Sequence, residues 1–207
     1  MQLTLLTLFV RLRTMFVVPT TGQKRIVRAA RILVVKRGYA GVSLRDIAST
    51  AGYSPAGLYA HFSGREAILQ ALADIVRAEL QAALNDAVAA ESDPVKQLVG
   101  LGCTYVSFAC AQPAEFELLF RYARSRRKSR AAVTLSTFDL LRSVARRANP
   151  TLREDTLDIA CLGLWSAAHG LAGLRTSHLA DFPGDWNEWT RQVLQSQVEG
   201  SLCGRSR

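Results

Sequence analysis

The sequence has few of the patterns on which sheet folds, disulfide frameworks and metal sites depend. None of the dipeptides that favour tight hairpin turns, Asn-Gly, Asp-Gly and Gly-Gly, occurs in the chain. The four cysteines, Cys103, Cys110, Cys161 and Cys203, form no Cys-x-x-Cys pair, and the three histidines lie far apart. We therefore expect neither a sheet architecture nor a metal site, but a reduced, intracellular protein without a disulfide framework.

Patterns typical of enzymes and of membrane segments are also lacking. No nucleophile elbow, phosphate-binding glycine loop or Ser-His-Asp order occurs, so we expect no enzyme and no cofactor, with a Cys–His enzyme as the alternative. The apolar residues 3–10 are followed by Arg11 and Arg13, far short of the roughly 20 apolar residues that a membrane span needs. We interpret residues 1–19 as an N-terminal extension and expect no membrane partner; a membrane-surface anchor is the competing interpretation.

Helix-forming residues and positive charge are abundant instead. Of the 207 residues, 29 are alanine and 28 are leucine, which favours helices. The net charge is +9, and residues 11–65 contain ten basic residues and one acid, Asp46. From residue 81 onward the chain is nearly neutral, with 15 basic and 13 acidic residues. A one-sided surplus of this kind is typical of a nucleic-acid-binding part, although a solvated basic surface would give the same count.

Capping residues divide the chain into about nine predicted helices. The predicted helix starts are the capping boxes that begin at Thr20, Ser43, Ser63 and Thr151, and the pairs Ser54-Pro55 and Asp93-Pro94. Together with the apolar spacing, they predict helices at 22–38, 44–51, 55–61, 64–91, 94–112, 114–127, 131–148, 152–176 and 186–200. No segment requires a strand, so the sequence predicts an all-α fold.

Residues 43–62, SLRDIASTAGYSPAGLYAHF, have the spacing of a helix-turn-helix motif. Two short helices that cross steeply need a small side chain at the crossing and a turn residue that tolerates positive φ; Ala48 and Gly52 supply these. Ile47, Tyr53 and Leu58 are spaced to hold the second helix against the first. Side chains that would allow this second helix to approach base edges in the major groove are Ser54, Pro55, Ala56, Gly57 and Ala60. A plain helical hairpin is the alternative.

Residues 20–80 resemble the DNA-binding domain of TetR-type transcriptional repressors. The resemblance is carried by Gly38-Tyr39, residues 42–48, Ala51-Gly52, and Gly57-Leu58-Tyr59-x-His61-Phe62-x2-Arg65-Glu66-x-Ile68-Leu69. It implies a recognition helix at about 55–61 and phosphate contacts from Tyr59, His61 and Arg65. The family usually has lysine where this chain has Arg65, and both are cations. The candidate DNA-binding residues are Ser43, Arg45, Ser54, Pro55, Ala56, Gly57, Tyr59, Ala60, His61 and Arg65.

The C-terminal part resembles a TetR subgroup that is marked by a Trp-His-Gly motif. The matching residues are Leu164-Trp165-x3-His169-Gly170-Leu171-x2-Leu174, preceded by an aromatic stretch at 105–120. Trp165 and His169 are four residues apart and therefore share one helix face. The candidate residues of an effector site are Tyr105, Phe108, Phe116, Phe120, Trp165 and His169. An ordinary core with a hydrogen-bonded histidine is the alternative.

The last two predicted helices have a surface suited to self-association. The helix at 152–176 has small residues that would allow another helix to approach closely, namely Gly163, Ala167, Gly170 and Gly173. This helix and the helix at 186–200 are the predicted helices 8 and 9. Together with the same two helices of a second copy, they would form a two-fold four-helix interface. Packing of the same face within one chain is the alternative.

These patterns together predict a regulator of transcription with three parts. They are an extension at 1–19, a helix-turn-helix DNA-binding domain at 20–80, and a ligand-binding and dimerisation domain at 81–207. We expect a homodimeric repressor, cytoplasmic and nucleoid-associated, that an unknown small-molecule effector releases from a palindromic double-stranded DNA operator. The alternative is a sequence-tolerant, architectural nucleic-acid-binding protein without an effector.

Overall fold

The computed structural model describes residues 20–122, 137–177 and 179–202. Within these ranges the chain forms nine α-helices and no strand, as the all-α prediction requires. The helices are α1 (Thr21–Arg37), α2 (Leu44–Ala51), α3 (Pro55–Tyr59), α4 (Arg65–Ala89), α5 (Pro94–Ala111), α6 (Pro113–Arg121), α7 (Thr137–Ala148), α8 (Glu154–Thr176) and α9 (Trp186–Leu202). The predicted extension at 1–19, the predicted helix residues 123–127 and 131–136, and Cys203 lie outside the described residues.

The helices belong to two compact units. Of the described residues, the first unit contains 20–74 and 120–122, and the second contains 75–119, 137–177 and 179–202. The chain therefore leaves the first unit within α4 and returns to it at the end of α6, and α7 belongs to the second unit.

In the first unit, short-range capping sets the starts of α1, α2 and α3. Thr20 and Ser43 form the predicted capping boxes, each accepting a hydrogen bond from the backbone amide three residues later. Ser54 caps α3 in the same way, and Pro55 occupies the first helical position. The core of this unit is filled by apolar side chains from α1 to α4, namely Ile26, Ala30, Val34, Ile47, Leu58, Ile68, Leu69 and Leu72.

Four predicted helix ends, at residues 61, 91, 152 and 200, differ by two residues from the structure, and the helix predicted over 114–127 ends at Arg121. The recognition helix ends at Tyr59 and not at residue 61, and the next turn tightens, with the His61 amide donating to the Leu58 carbonyl three residues earlier. The start of α8 has Arg153 at the N-cap, without a side-chain cap. The Thr151 hydroxyl, which was predicted to cap α8, donates instead to the Asn149 side chain at 2.9 Å.

The core of the second unit lies among α5, α8 and α9, which pack against one another, with α7 against α5 and α8. Its largest fully buried side chains are Leu84, Leu98, Leu118, Leu157, Leu194 and Leu202. By length and composition α8 is apolar enough to cross a membrane, and 33% of its most apolar window is buried. Core helices of soluble proteins pass the same test, and the exposed side of α8 carries Ile159 and Leu162 together with polar residues such as Ser166 and His169.

Substitution of two glycines by alanine should have opposite effects on stability. Gly52 has φ 68°, and a Cβ there would lie 2.3 Å from the Arg25 guanidinium, so Gly52→Ala should lower the free energy of unfolding by about 1–2 kcal/mol or more. Gly100 lies inside α5, and a Cβ would meet nothing within 4 Å, so Gly100→Ala should raise it by about 0.5–1 kcal/mol. Urea denaturation followed by circular dichroism measures both. Equal effects of the two substitutions would contradict the assigned turn geometry.

Candidate nucleic-acid interface and ligand pocket

The turn between α2 and α3 has the geometry of a helix-turn-helix motif. Ala48 is 1% exposed at the crossing of the two helices, and Gly52 adopts the left-handed conformation at φ 68°, ψ 38°. The amide of Tyr53 donates to the Ala48 carbonyl at 2.9 Å, which fixes the direction in which the chain enters α3. Leu58 is buried beneath α3, so the opposite side of this helix is directed to solvent.

The candidate DNA-binding residues of the first unit are mostly at its surface. Ser43, Arg45, Ser54, Pro55, Ala56, Tyr59 and Ala60 are exposed, and Gly57, His61 and Arg65 are half-buried. The start of α3 therefore presents only small side chains, next to a tyrosine that is 60% exposed. Such a surface allows the backbone of α3 to approach base edges closely.

His61 is held between α1 and the helix-turn-helix motif. Its ring packs edge-on against Tyr53, with ring centroids 5.4 Å apart. A Cβ on Gly22 would lie 2.6 Å from His61 Cε1, so the first turn of α1 accepts the ring only because residue 22 is glycine. The Gln23 side-chain amide donates to the His61 carbonyl at 3.3 Å. The sequence did not indicate this role of Gly22 and Gln23, because both contacts join residues nearly 40 positions apart.

Arg65 connects the start of α4 to the loop between α1 and α2. Its Nε donates to the Val42 carbonyl and its Nη2 to the Tyr39 carbonyl, each at 2.5 Å. Its Nη1 pairs with the neighbouring Glu66 carboxylate. Three donor groups of the guanidinium thus bind protein atoms, and the side chain is 27% exposed. This arrangement positions the elements on either side of the helix-turn-helix motif.

The end of α6 adds two contacts to the same region of the first unit. The Tyr122 hydroxyl donates to the Glu66 carboxylate at 2.6 Å, and the Arg121 guanidinium lies 5.3 Å from the centre of the Tyr39 ring. Burial and the Glu66 carboxylate raise the pKa of Tyr122 to about 12. Hydrogen bonding from Tyr122, with a further contribution from Arg65, lowers the pKa of Glu66. Glu66 therefore stays ionised at neutral pH and keeps this connection closed.

The described part of the first unit is strongly basic. It contains nine arginine and lysine residues and three acids, Asp46, Glu66 and Asp74. Asp46 and Glu66 are paired with Arg37 and Arg65. Exposed cations on α1 and α2 are Lys24, Arg25, Arg28, Lys36, Arg37 and Arg45. A surplus of exposed positive charge on the unit that holds the helix-turn-helix motif suits a polyanionic partner.

In the second unit, four of the candidate effector-site residues form one connected cluster. The Trp165 indole donates to the Tyr105 hydroxyl at 3.3 Å, and that oxygen lies 3.1 Å from His169 Nδ1. The Phe116 ring packs edge-on against Tyr105, with centroids 5.2 Å apart, and lies 6.1 Å from the His169 ring. Burial raises the pKa of Tyr105, so its phenol remains protonated. Phe108 is buried as well, whereas Phe120 belongs to the segment assigned to the first unit and is 41% exposed.

A pocket with about 430 Å³ of empty space, part of it open to solvent, lies beside this cluster in the second unit. Its lining residues are Leu84, Leu98, Leu101, Gly102, Thr137, Phe138, Leu141, Leu164, Trp165, Ala168 and Leu194. Trp165 is the one candidate effector-site residue among them. Leu164 belongs to the Trp-His-Gly pattern, and the sequence did not relate the remaining lining residues to one another, because they come from five helices.

The outer faces of α8 and α9 present exposed apolar side chains. On α8, Ile159 is 70% exposed and Leu162 is 53% exposed, and Gly170 and Gly173 continue the same face. On α9, Val193 is 45% exposed, in line with Trp189. We call this surface the α8–α9 face. Contiguous apolar surface of this kind marks a site of association in soluble proteins.

The side chains known to hold metals or to act as nucleophiles do not assemble in the described part of the chain. No group of three or more His, Cys, Asp or Glu residues there is arranged to hold a metal ion. Cys103, Cys110 and Cys161 are free thiols, and burial raises the pKa of each, that of Cys161 to about 11. These thiols therefore stay protonated and unreactive at neutral pH.

Two family models match the chain. Residues 26–72 match the model of the bacterial regulatory proteins of the tetR family. Residues 98–196 match the model of a tetracyclin repressor-like C-terminal domain. The first match contains the helix-turn-helix motif and the second contains most of the pocket and the α8–α9 face. No curated protein sequence matches the chain at a significant level.

Solved structures share the fold over most of the chain. A protein of unknown function from a Rhodococcus species is 26% identical, with a TM-score of 0.74 over 88% of this chain and 96% of its own. The TetR family transcriptional regulator PfmR from Thermus thermophilus is 22% identical, with a TM-score of 0.58 over 88% and 100%. The fatty acid degradation regulator FadR from Bacillus halodurans is 14% identical, with a TM-score of 0.64 over 86% and 95%. Since the two family models together span more than half of its residues, the chain belongs to the TetR family of bacterial transcriptional regulators.

Proposed function

We propose that this DNA-binding regulator acts as a homodimeric repressor that a small-molecule effector releases from a palindromic operator. The observation that carries the proposal is the exposed start of α3, with its small side chains, on a unit rich in exposed cations. The apolar pocket of the second unit supports the effector, and the α8–α9 face supports the dimer. Such a protein would work in the cytoplasm, on the DNA of the nucleoid.

In the DNA complex, α3 would lie in the major groove. Ser54, Pro55, Ala56, Gly57 and Ala60 would face the bases, because their small side chains let the backbone come close. Around them, the exposed Ser43, Arg45 and Tyr59 would donate to phosphate oxygens. His61 and Arg65, which we also propose as phosphate contacts, additionally hold the motif in place through their contacts with the protein.

The dimer would place two copies of α3 on one side of the DNA. Helix-turn-helix dimers contact half-sites about one helical turn apart, roughly 34–36 Å. The α8–α9 face is apolar and self-complementary in composition, as an isologous contact between two copies of one surface requires. Burying it against a second chain would remove Ile159, Leu162 and Val193 from water.

Two continuous helices connect the pocket region to the DNA-binding unit. α4 contributes Leu84 to the pocket and begins with Arg65, which holds the loop before α2. α6 contributes Phe116 to the aromatic cluster, and Tyr122 follows its end and binds Glu66. An effector that binds the DNA-free conformation more tightly than the DNA-bound one would therefore lower operator affinity. A coupling of about 1–3 kcal/mol, roughly 5–150-fold, is a typical scale.

DNA affinity should depend strongly on salt and on Tyr59. If a dimer neutralises about 6–8 phosphates, the slope of log K against log salt should be about −5 to −7. Tyr59→Phe removes two phosphate hydrogen bonds per dimer and should weaken binding by about tenfold. Because Tyr59 is 60% exposed, the substitution should leave the free energy of unfolding unchanged. Fluorescence anisotropy of labelled DNA and urea denaturation measure the two quantities.

Arg65→Ala is the matched comparison for that experiment. It removes a proposed phosphate contact and also frees the Val42 and Tyr39 carbonyls, so both DNA affinity and stability should fall. A salt slope near zero for the wild-type protein would overturn the DNA-binding interface. Unchanged affinity of Tyr59→Phe would remove this residue from the set of phosphate contacts.

Dimerisation should depend on the α8–α9 face. Leu162→Arg places a charge on a residue that is 53% exposed in the single chain, so folding should be retained while an unpaired charge is buried in the dimer. We expect monomers at micromolar concentration and loss of operator affinity. Ser143→Arg, which adds the same charge at an exposed position of α7, should leave the dimer intact. Light scattering measures the oligomeric state of both variants. A monomeric wild-type protein would contradict the dimer, and so would insertion of α8 into lipid vesicles.

A further inference from the structure

The pocket of the second unit is lined almost entirely by hydrocarbon. Its described lining consists of aliphatic and aromatic residues, glycine and Thr137, and includes no charged side chain. The Thr137 hydroxyl lies 3.4 Å from Gln81 Oε1, to which it donates a weak hydrogen bond. A ligand in this space would therefore find mainly apolar contacts with leucine side chains and the rings of Phe138 and Trp165.

The polar group that Trp165 brings to the pocket is already satisfied by the protein. Its indole N–H donates to the Tyr105 hydroxyl at 3.3 Å, and this oxygen is also 3.1 Å from His169 Nδ1. The indole N–H and the Tyr105 hydroxyl are thus engaged within the protein. An indole has one donor and no acceptor, so Trp165 can offer a ligand only its ring surface. His169, the expected polar anchor, contacts the Tyr105 hydroxyl and is not among the lining residues.

The arginines that follow the lining residue Leu141 along α7 are engaged with carboxylates. Arg142 pairs with Asp158 at 2.6 Å and with Glu154, and Arg146 pairs with Glu154 at 2.5 Å. Moving Arg142 to a ligand would break its pair with Asp158, and moving either arginine would remove one of the two cations paired with Glu154. An anionic headgroup buried in the pocket would thus lose its hydration without gaining a cation, which is costly.

We propose that the effector is an uncharged, mainly hydrocarbon molecule, bound by its apolar surface against Trp165 and Phe138, and that the pocket excludes carboxylates and other anions. The proposal names the ligand class of the effector site and therefore depends on the proposed function for its biological role. Its chemistry, however, concerns binding alone. The aliphatic and aromatic lining suits the surface of an aliphatic chain or of fused aromatic rings.

Matched pairs of probes test the ligand class directly. The full-length wild-type protein is titrated calorimetrically at neutral pH with 1-octanol and octanoate, and with 2-naphthol and 2-naphthoate. Within each pair the apolar part is the same and the charge differs. We expect the neutral member to bind at least about 100-fold more tightly in at least one pair, because the anion must be desolvated without a partner. Equal or tighter binding of the anions, or no binding of any probe, would overturn the proposal.

A charge placed in the pocket should reverse this preference. Leu141 is half-buried in the lining, so Leu141→Arg can extend a guanidinium to the ligand without removing a core side chain. Octanoate should then bind more tightly than 1-octanol, by about tenfold or more. Ser143→Arg, with the same added charge outside the lining, should keep the wild-type preference. If Leu141→Arg does not fold, Ala168→Phe serves in its place: the phenyl ring fills the same space and should abolish binding of all four probes. If a folded variant of either kind bound the probes as the wild-type protein does, the ligand would bind elsewhere.

Adding DNA separates this inference from the proposed function. The neutral probes that bind are added to the complex of the protein with DNA selected from a random pool, and release is followed by anisotropy. Binding with release supports both conclusions. Binding of neutral probes without any release would uphold the ligand class and count against release by an effector that fills this pocket. Release by octanoate through the wild-type pocket would contradict the ligand class alone.

Discussion

The close approach of α1, α2 and α3 at Gly52 is the constraint on which the DNA-binding unit depends. Gly52 turns the chain at φ 68°, and the space beside it is occupied by the Arg25 guanidinium, which also lies 5.5 Å from the centre of the Tyr53 ring. A side chain at residue 52 would adopt a strained φ and would also displace the Arg25 guanidinium, which is the flexible end of an exposed side chain. With this turn in place, Leu58 is buried and the small residues of α3 face solvent, which is the surface that a major groove requires.

The second unit presents two kinds of apolar surface. Tyr105 receives the indole N–H of Trp165 and lies against His169, so the pocket beside them is left with apolar walls. The outer face of α8 carries Ile159 and Leu162 in water. The first surface is a concave pocket, and the second is a helix face that we propose a second chain covers. The same physical effect, removal of hydrocarbon from water, thus supports both proposed partners.

Local chemistry was predictable from the sequence, and long-range pairing was not. Thr20 and Ser43 cap their helices as expected because the partner amide is only three residues away. Thr151 does not cap α8, since the Asn149 side chain accepts its hydroxyl and arginines of α7 take the Glu154 carboxylate. The fold class and the helix-turn-helix motif followed from spacing, composition and resemblance. The pocket could not be predicted in this way, because its walls come from five helices and no sequence periodicity links residues on different helices.

The central claim, sequence-specific recognition of DNA by two copies of α3, is tested most directly by selection from a random DNA pool. The purified protein is allowed to retain duplexes at physiological salt, and the bound DNA is amplified and sequenced through several rounds. Enrichment of an inverted repeat with half-sites about one helical turn apart is the expected result. Retention without any enriched sequence would contradict operator recognition and would favour a sequence-tolerant nucleic-acid-binding protein.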